Sequence, residues 1–283
     1  MATILITGCS SGLGEASARL LAERGHRVFA SCRRAADCAR LATSEPRLET
    51  LPLDVTDPAS IEAAVATVLD QAGALDVLLS NAGVSVPGVV EELPDASWRA
   101  SMDANFFGPL ALIRAVLPAM REQGQGRIVL LSSLSARVGL PGEGAYAASK
   151  AALDAAAESL QHEVERFGIR VTLVEPGACA TPMQEKIAAG LAAEPGSPYA
   201  RLLDWLARKA REGIGRGEPP AAIAALIADL VEMPEPPLRL PAGAQAEAVV
   251  AALRDMDDTE RTAFIRAVND THWWSAGDEP PAD

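Results

Sequence analysis

The run Ala2-Thr-Ile-Leu-Ile-Thr7 is β-branched and apolar, and it breaks into Gly8-Cys-Ser-Ser-Gly12-Leu-Gly14 before an amphipathic stretch over residues 15–24. That order dictates a strand, a tight glycine turn and a helix. Glycines at 8, 12 and 14 remove the Cβ atoms that would hold a pyrophosphate away from the backbone, and the amino terminus of the helix favours its negative charge. The unit then recurs. Residues 26–32 read as a strand, 35–43 as a short helix, 48–53 as a strand, 59–72 as a helix and 75–80 as a buried strand. Near-continuous apolar strands alternating with helices require a parallel sheet covered on both faces, so the expected fold is a single doubly wound α/β domain.

Composition limits what such a domain meets. The chain has 283 residues, 49% hydrophobic but only 4% aromatic, so small aliphatic side chains must build the core. Net charge is −13 and no Lys/Arg cluster is long enough to track phosphates, which argues against a nucleic-acid partner. Cys9, Cys32, Cys38 and Cys179 are too few and too irregularly spaced for a disulfide framework, and three histidines do not complete a zinc signature. No metal site and a reducing cytoplasm are expected. The amino terminus carries no basic region before its first strand, and no apolar run reaches the ~18 residues of a membrane span.

The end of the second strand is where a reader of the adenosine ribose belongs. A carboxylate there would accept the ribose hydroxyls, but the sequence has Cys32 followed by Arg33 and Arg34. Two guanidiniums with no adjacent acid clamp a phosphate, which points to NADP rather than NAD. Asp54 closes the third strand on the ligand side, with no local structural duty evident, and could accept the adenine amino group. Asp57, directly before Pro58, reads as a helix cap. Asn81-Ala82-Gly83 is a strand-end turn at the same crevice.

Tyr146-Ala-Ala-Ser-Lys150 carries the chemistry. Four residues apart on a helix, the phenol and the ammonium share a face. A phenol of pKa about 10 is a poor acid or base at neutrality, and a cation at roughly 5 Å in an effective dielectric of about 20 would lower it by roughly two units. Only two tyrosines and three lysines occur in the chain, so a chance pairing at this spacing is improbable. Upstream, Ser132, Ser133 and Ser135 follow a strand over 127–131. Downstream, Glu175-Pro176-Gly177 ends a strand over 169–174, Thr181 follows, and Glu175 reads as a surface or strand-end charge. A long helix is expected over 95–122, with Asn105 inside it and a bend near Gly108-Pro109.

Thr7-Gly-x-x-x-Gly12-x-Gly14, Asp54-Val55, Asn81-Ala-Gly83, Asn105, Ser133, Tyr146-x-x-x-Lys150 and Pro176-Gly177 stand in the order and spacing of the short-chain dehydrogenase/reductases. The chain resembles the compact oxidoreductase branch of that superfamily from residue 2 to about 185. Ser80 replaces the first Asn of many members and Cys9 replaces an Ala; neither removes a group the chemistry needs. The resemblance implies a Rossmann-type fold. It also implies a cofactor-binding set of Gly8, Ser10, Ser11, Gly12, Leu13, Gly14, Arg33, Asp54, Val55, Asn81, Ala82, Gly83, Tyr146, Lys150, Pro176, Gly177 and Thr181. It further implies that Ser133, thirteen positions before Tyr146, holds the substrate oxygen. Tyr146 would transfer the proton, Lys150 would depress the phenol and bond the nicotinamide ribose, and Asn105 would support a water relay. Members commonly pair the alanine-rich helix after Gly144 with the long helix before it in a four-helix seam, which implies a homodimer or homotetramer. The Gly-Cys-Ser-Ser-Gly turn and Cys32-Arg33 look like those of hydroxysteroid and retinol dehydrogenases.

Residues 1–243 are thus expected to form the NADP-binding and catalytic domain, with a lid at about 183–213 whose apolar anchors favour a hydrophobic substrate. Residues 244–283 are expected to form a helical extension and a tail bearing Trp273-Trp274, which either docks on a surface or is an ill-ordered end. The expected activity is NADP-dependent interconversion of a carbonyl and a secondary alcohol. An NADP(H)-sensing regulator without catalysis is the alternative, and it would need none of the proton machinery.

Overall fold

The computed structural model describes residues 1–281. Its strands are β1 (Thr3–Ile6), β2 (Arg27–Cys32), β3 (Glu49–Pro52), β4 (Val77–Ser80), β5 (Gly126–Leu131), β6 (Ile169–Pro176) and β7 (Arg239–Ala242), and they form one sheet in the order β3-β2-β1-β4-β5-β6-β7. Every pairing is parallel. The chain winds outward from β1 to β3 and returns beside β1 as β4, so the crevice at the carboxyl ends of β1 and β4 is the topological switch point.

Helices α1 (Gly12–Glu23), α2 (Ala35–Ser44) and α3 (Pro58–Ala72) link the first four strands. Then come α4 (Asp95–Met102), α5 (Gly108–Gln123), α6 (Gly144–Val164), α7 (Pro182–Gly190), α8 (Ala200–Gly213), α9 (Pro220–Glu232), α10 (Ala244–Leu253), α11 (Asp258–Asn269) and α12 (His272–Ala276). Side chains alternate across the sheet with period two. Ile4, Ile6 and Leu79 face one core with Leu21 and Ile227 of the α1/α9 layer, while Leu5, Leu78 and Ile128 face the other with Val65, Leu112 and Leu153 of the α3/α5/α6 layer. Asp57 caps α3 by accepting from the Ala59 amide at 3.0 Å, with Pro58 in its first turn, as its sequence demands.

Three features depart from the sequence reading. The long helix over 95–122 is divided between α4 and α5 by a π-turn, Asp103–Phe107, in which the Gly108 amide bonds Asp103 five residues back. Pro109 has no N–H to offer the Asn105 carbonyl, and Gly108 lies so close to β3–α3 that a Cβ would stand 2.6 Å from the Val55 carbonyl oxygen. The last strand, expected over 238–240, runs on to Ala242. There Pro241 is tolerated because β7 is an edge. Trp273 is buried edge-on against Trp205, their ring centres 5.7 Å apart, in a small third core with Leu202, Leu203 and Leu206. The tail therefore docks on its own chain through Trp273, and positions 282–283 lie outside the described residues. Among the described residues no helix is long and apolar enough to cross a membrane.

Candidate active site

Thr7, at the end of β1, stitches the switch point together. Its hydroxyl oxygen accepts the Asn81 and Ala82 amides, each at 3.0 Å, and Asn81 Nδ2 donates back to the Thr7 and Gly8 carbonyls at 2.9 and 3.2 Å. Close approach explains two glycines. A Cβ on Gly8 (φ +75°) would lie 2.8 Å from Ala82 Cα, and one on Gly14 would overlap Asn81 Nδ2 and the Gly8 carbonyl. Gly12 (φ +61°) faces the Thr181 side chain across the crevice, so the segment after Pro176-Gly177 folds back toward the glycine turn. Ser11 occupies the N-cap of α1 without a side-chain cap bond, which leaves the first-turn amides directed at the turn.

At the end of β2 the two expected arginines differ. Arg34 is paired with Asp37 at 2.7 Å, whereas Arg33 is exposed and makes no ion pair among the described residues. A third arginine escaped the sequence reading. Arg40 of α2 donates to the Ser10 carbonyl at 2.7 Å and pairs with Glu15, tying α2 to the glycine turn. Asp54 does have a structural duty, contrary to expectation. Its Oδ1 accepts from the Thr56 amide at 2.9 Å and the Thr56 hydroxyl at 2.7 Å, which holds the carboxyl below its usual range.

Ser133, Tyr146 and Lys150 meet at the carboxyl end of β5. Ser133 is near enough to the phenol to pull its pKa down, and Ser133 Oγ accepts the Ser135 amide at 3.1 Å. Lys150 is buried, with Nζ 5.9 Å from the centre of the Tyr146 ring and donating to the Leu131 carbonyl at 2.5 Å. Gly83 stands over the same point, since a Cβ there would be 3.0 Å from Asn105 Oδ1 and 3.7 Å from Lys150 Nζ. The expected depression of the phenol does not occur in this state. Burial pushes Tyr146 up to about 12, Ser133 pulls it partly back, and the charge of Glu143 raises it again. Burial likewise lowers Lys150 to about 8, against the opposing field of Asp154. Desolvation outweighs a lysine turned toward a backbone carbonyl. Asn105 is fully buried with both ends of its amide engaged. Oδ1 accepts from Val84 N and Nδ2 donates to Val84 O, both at 2.8 Å, and Nδ2 also donates to Ser149.

Glu175 is no surface charge. It is fully buried, held by two nitrogens of Arg137 at 2.9 and 2.8 Å and by Arg239 Nη1 at 2.6 Å. The same Arg239 nitrogen meets Asp154 Oδ2 at 2.6 Å, and Asp154 Oδ1 accepts from the Ser132 hydroxyl. Ser132 is thus bound into this ionic cluster behind Lys150, leaving Ser133 as the hydroxyl at the phenol.

A family model for short chain dehydrogenases matches residues 2–192. The chain belongs to the short-chain dehydrogenase family. It is 32% identical over 252 residues to the 3-ketodihydrosphingosine reductase of Bacteroides thetaiotaomicron, covering 88% of this chain and 90% of that one. Among solved structures it resembles a short-chain dehydrogenase from Streptomyces avermitilis, with a TM-score of 0.77, 33% identity and coverage of 98% and 97%. It also resembles an alcohol dehydrogenase from the archaeon Thermococcus sibiricus complexed with 5-hydroxy-NADP, with a TM-score of 0.69, 26% identity and coverage of 85% and 95%. In this short-chain dehydrogenase the close-packed glycine turn, the uncapped amino terminus of α1 and the exposed Arg33 suit a nicotinamide dinucleotide: a backbone cradle for the pyrophosphate and a cation at the adenosine end.

Proposed function

We propose that this short-chain dehydrogenase is an NADP-dependent oxidoreductase that interconverts a carbonyl and a secondary alcohol on a hydrophobic small molecule. One observation carries the reading: the Ser133 hydroxyl, the Tyr146 phenol and the buried Lys150 ammonium converge on one point, with Lys150 Nζ 5.9 Å from the phenol ring centre. The cofactor supplies or accepts the hydride. Gly8, Ser10, Ser11, Gly12, Leu13 and Gly14 would hold its pyrophosphate, with Arg33, Asp54 and Val55 at the adenosine end. Asn81, Ala82, Gly83, Pro176, Gly177, Thr181 and Lys150 would hold the nicotinamide half. Ser133 and Tyr146 hold the substrate oxygen, and Tyr146 gives it a proton as negative charge develops there. A phenol raised to about 12 is fully protonated at neutrality, which suits reduction. Lys150 stabilises the phenolate left behind, and the Asn105 carbonyl, lacking an N–H partner at Pro109, is placed to hold a water of the proton relay.

The hydrophobic substrate is supported by a cavity of about 220 Å³ under α7 and α8, with Leu140, Ile187, Leu191 and Leu206 in its wall. The segment over 183–213 then serves as a lid. The name of the Bacteroides relative, a reductase of 3-ketodihydrosphingosine, and the NADP analogue in the Thermococcus structure support the reaction and the cofactor. Four unpaired cysteines support a cytoplasmic setting, and exposed Phe107 with the exposed face of Ala148, Ala151 and Ala155 supports a homodimer or homotetramer.

The test is NADPH and NADH oxidation against a panel of ketones and aldehydes, repeated with Tyr146→Phe. The variant is expected to bind NADPH and to lose turnover by about 10²–10⁴-fold. Turnover within a few-fold of the unmutated protein would remove Tyr146 from the reaction.

A further inference from the structure

Glu143 is a charged group beside Ser133 and Tyr146 that the mechanism above does not use. It stands at the N-cap of α6, where a side-chain oxygen normally accepts an amide from the first turn, but it makes no cap bond. Its carboxyl turns instead to Ser135, whose hydroxyl donates to Oε2 at 3.0 Å. The Ser135 amide in turn bonds Ser133 Oγ at 3.1 Å, so two short links connect the carboxyl to the hydroxyl that meets Tyr146.

No cation answers it. Glu143 makes no ion pair among the described residues, Lys150 is directed at the Leu131 carbonyl, and Lys209, which lines the same cavity, is held by Asp270 at 3.5 Å over the Trp205 ring. A carboxylate has about four acceptor sites, and a largely desolvated one with a single hydroxyl donor is under-satisfied. Burial raises its pKa accordingly. The Gly142 carbonyl accepts the Gly88 amide at 2.8 Å, and the Glu143 amide bonds Leu140 at 3.1 Å, which pins the loop that carries it. Leu140, Ile187, Leu191, Leu206 and Val268 give the wall a broad aliphatic face, and its other charges, Lys209 and Asp270, are paired with each other. An acceptor therefore lines a cavity with a broad aliphatic face, two hydrogen bonds away from the hydroxyl that would hold the reacting oxygen.

Building on the oxidoreductase reading, we infer that Glu143 determines specificity by pairing with an ammonium group a few bonds from the reacting carbonyl, so that the substrate is an amino ketone, or the matching amino alcohol, on an aliphatic chain. The ammonium completes the acceptor sites of Glu143 and the chain fills the aliphatic wall. The same group fixes which carbon of the chain faces Ser133 and Tyr146.

The test compares a long-chain 2-amino-3-ketone with the same ketone lacking the amine, on the full chain and on Glu143→Gln and Glu143→Asp. The readouts are kcat/KM with NADPH or NADH, and Kd by calorimetry. Loss of a charge-assisted pair is worth about 10- to 100-fold, so the unmutated protein should favour the amino ketone by that factor, Glu143→Gln should bring the two within about threefold, and Glu143→Asp should restore part of the preference. A general loss of structure lowers both ketones together and leaves their ratio in place. An equal ratio in the unmutated protein, or one that survives Glu143→Gln, overturns the inference. If neither ketone is turned over, the oxidoreductase reading is decided by the wider carbonyl panel, while the ratio of dissociation constants still decides the role of Glu143.

Discussion

Arg239 reaches Asp154 and Glu175 with a single nitrogen, Nη1, at 2.6 Å to each, and so anchors the carboxylate that lies one helical turn beyond Lys150. The arrangement opposes the desolvation of the lysine. Burial pulls Lys150 down to about 8, and the Asp154 charge works in the other direction.

Replacing Asp154 by Asn removes that charge while keeping an acceptor for Ser132. The lysine then loses its proton at lower pH. Turnover that needs a charged Lys150 is present below its pKa and is lost as pH rises through it, so the alkaline limb of kcat/KM should move to lower pH. A unit charge near 6 Å in an effective dielectric of 20–40 is worth roughly one to two units. Profiles from pH 6 to 10 check this; a limb that stays in place would show that Asp154 acts only as a structural anchor.

Glu175→Gln probes stability instead. It removes the buried negative charge that Arg137 and Arg239 share. Breaking a buried ionic cluster by deleting one partner costs about 3 kcal/mol, because the charges left behind stay partly desolvated. Urea unfolding should show that loss as a lower midpoint at unchanged slope. Retention of full stability would mean that water already serves both guanidiniums.

This cluster also marks where reading the sequence stops. The strand-turn-helix order and the pairing of Tyr146 with Lys150 were legible because each follows from local periodicity or spacing, whereas the choice of Ser133 among three serines rested on the family resemblance. Glu175 was not: its partners lie 38 and 64 residues away, and Val-Glu-Pro-Gly gives no hint of them. The shift of the phenol was misjudged for a related reason. Spacing reports a neighbouring charge, but burial, which dominates here, is a property of the assembled fold. The π-turn was hidden because Pro109 signals a disturbed helix without saying how the register adjusts. That is settled by the approach of Gly108 to the Val55 carbonyl.

Selectivity at the adenosine end turns on which guanidinium is uncommitted. Arg34 is bound to Asp37 through two nitrogens at 2.7 and 3.1 Å, and Arg40 is bound to Glu15 and the Ser10 carbonyl. A 2′-phosphate at the end of β2 would therefore be met by Arg33, whose field already reaches Asp54. Arg33→Ala should weaken NADPH binding by about 10- to 100-fold, the worth of one charge-assisted contact to phosphate, and NADH binding far less. Arg34→Ala should have the smaller effect, since the Arg34 guanidinium is already held by Asp37. Titration of both variants with both cofactors separates the cases. If NADPH and NADH weaken in parallel in Arg33→Ala, the arginine supports the shape of the turn and does not read a 2′-phosphate.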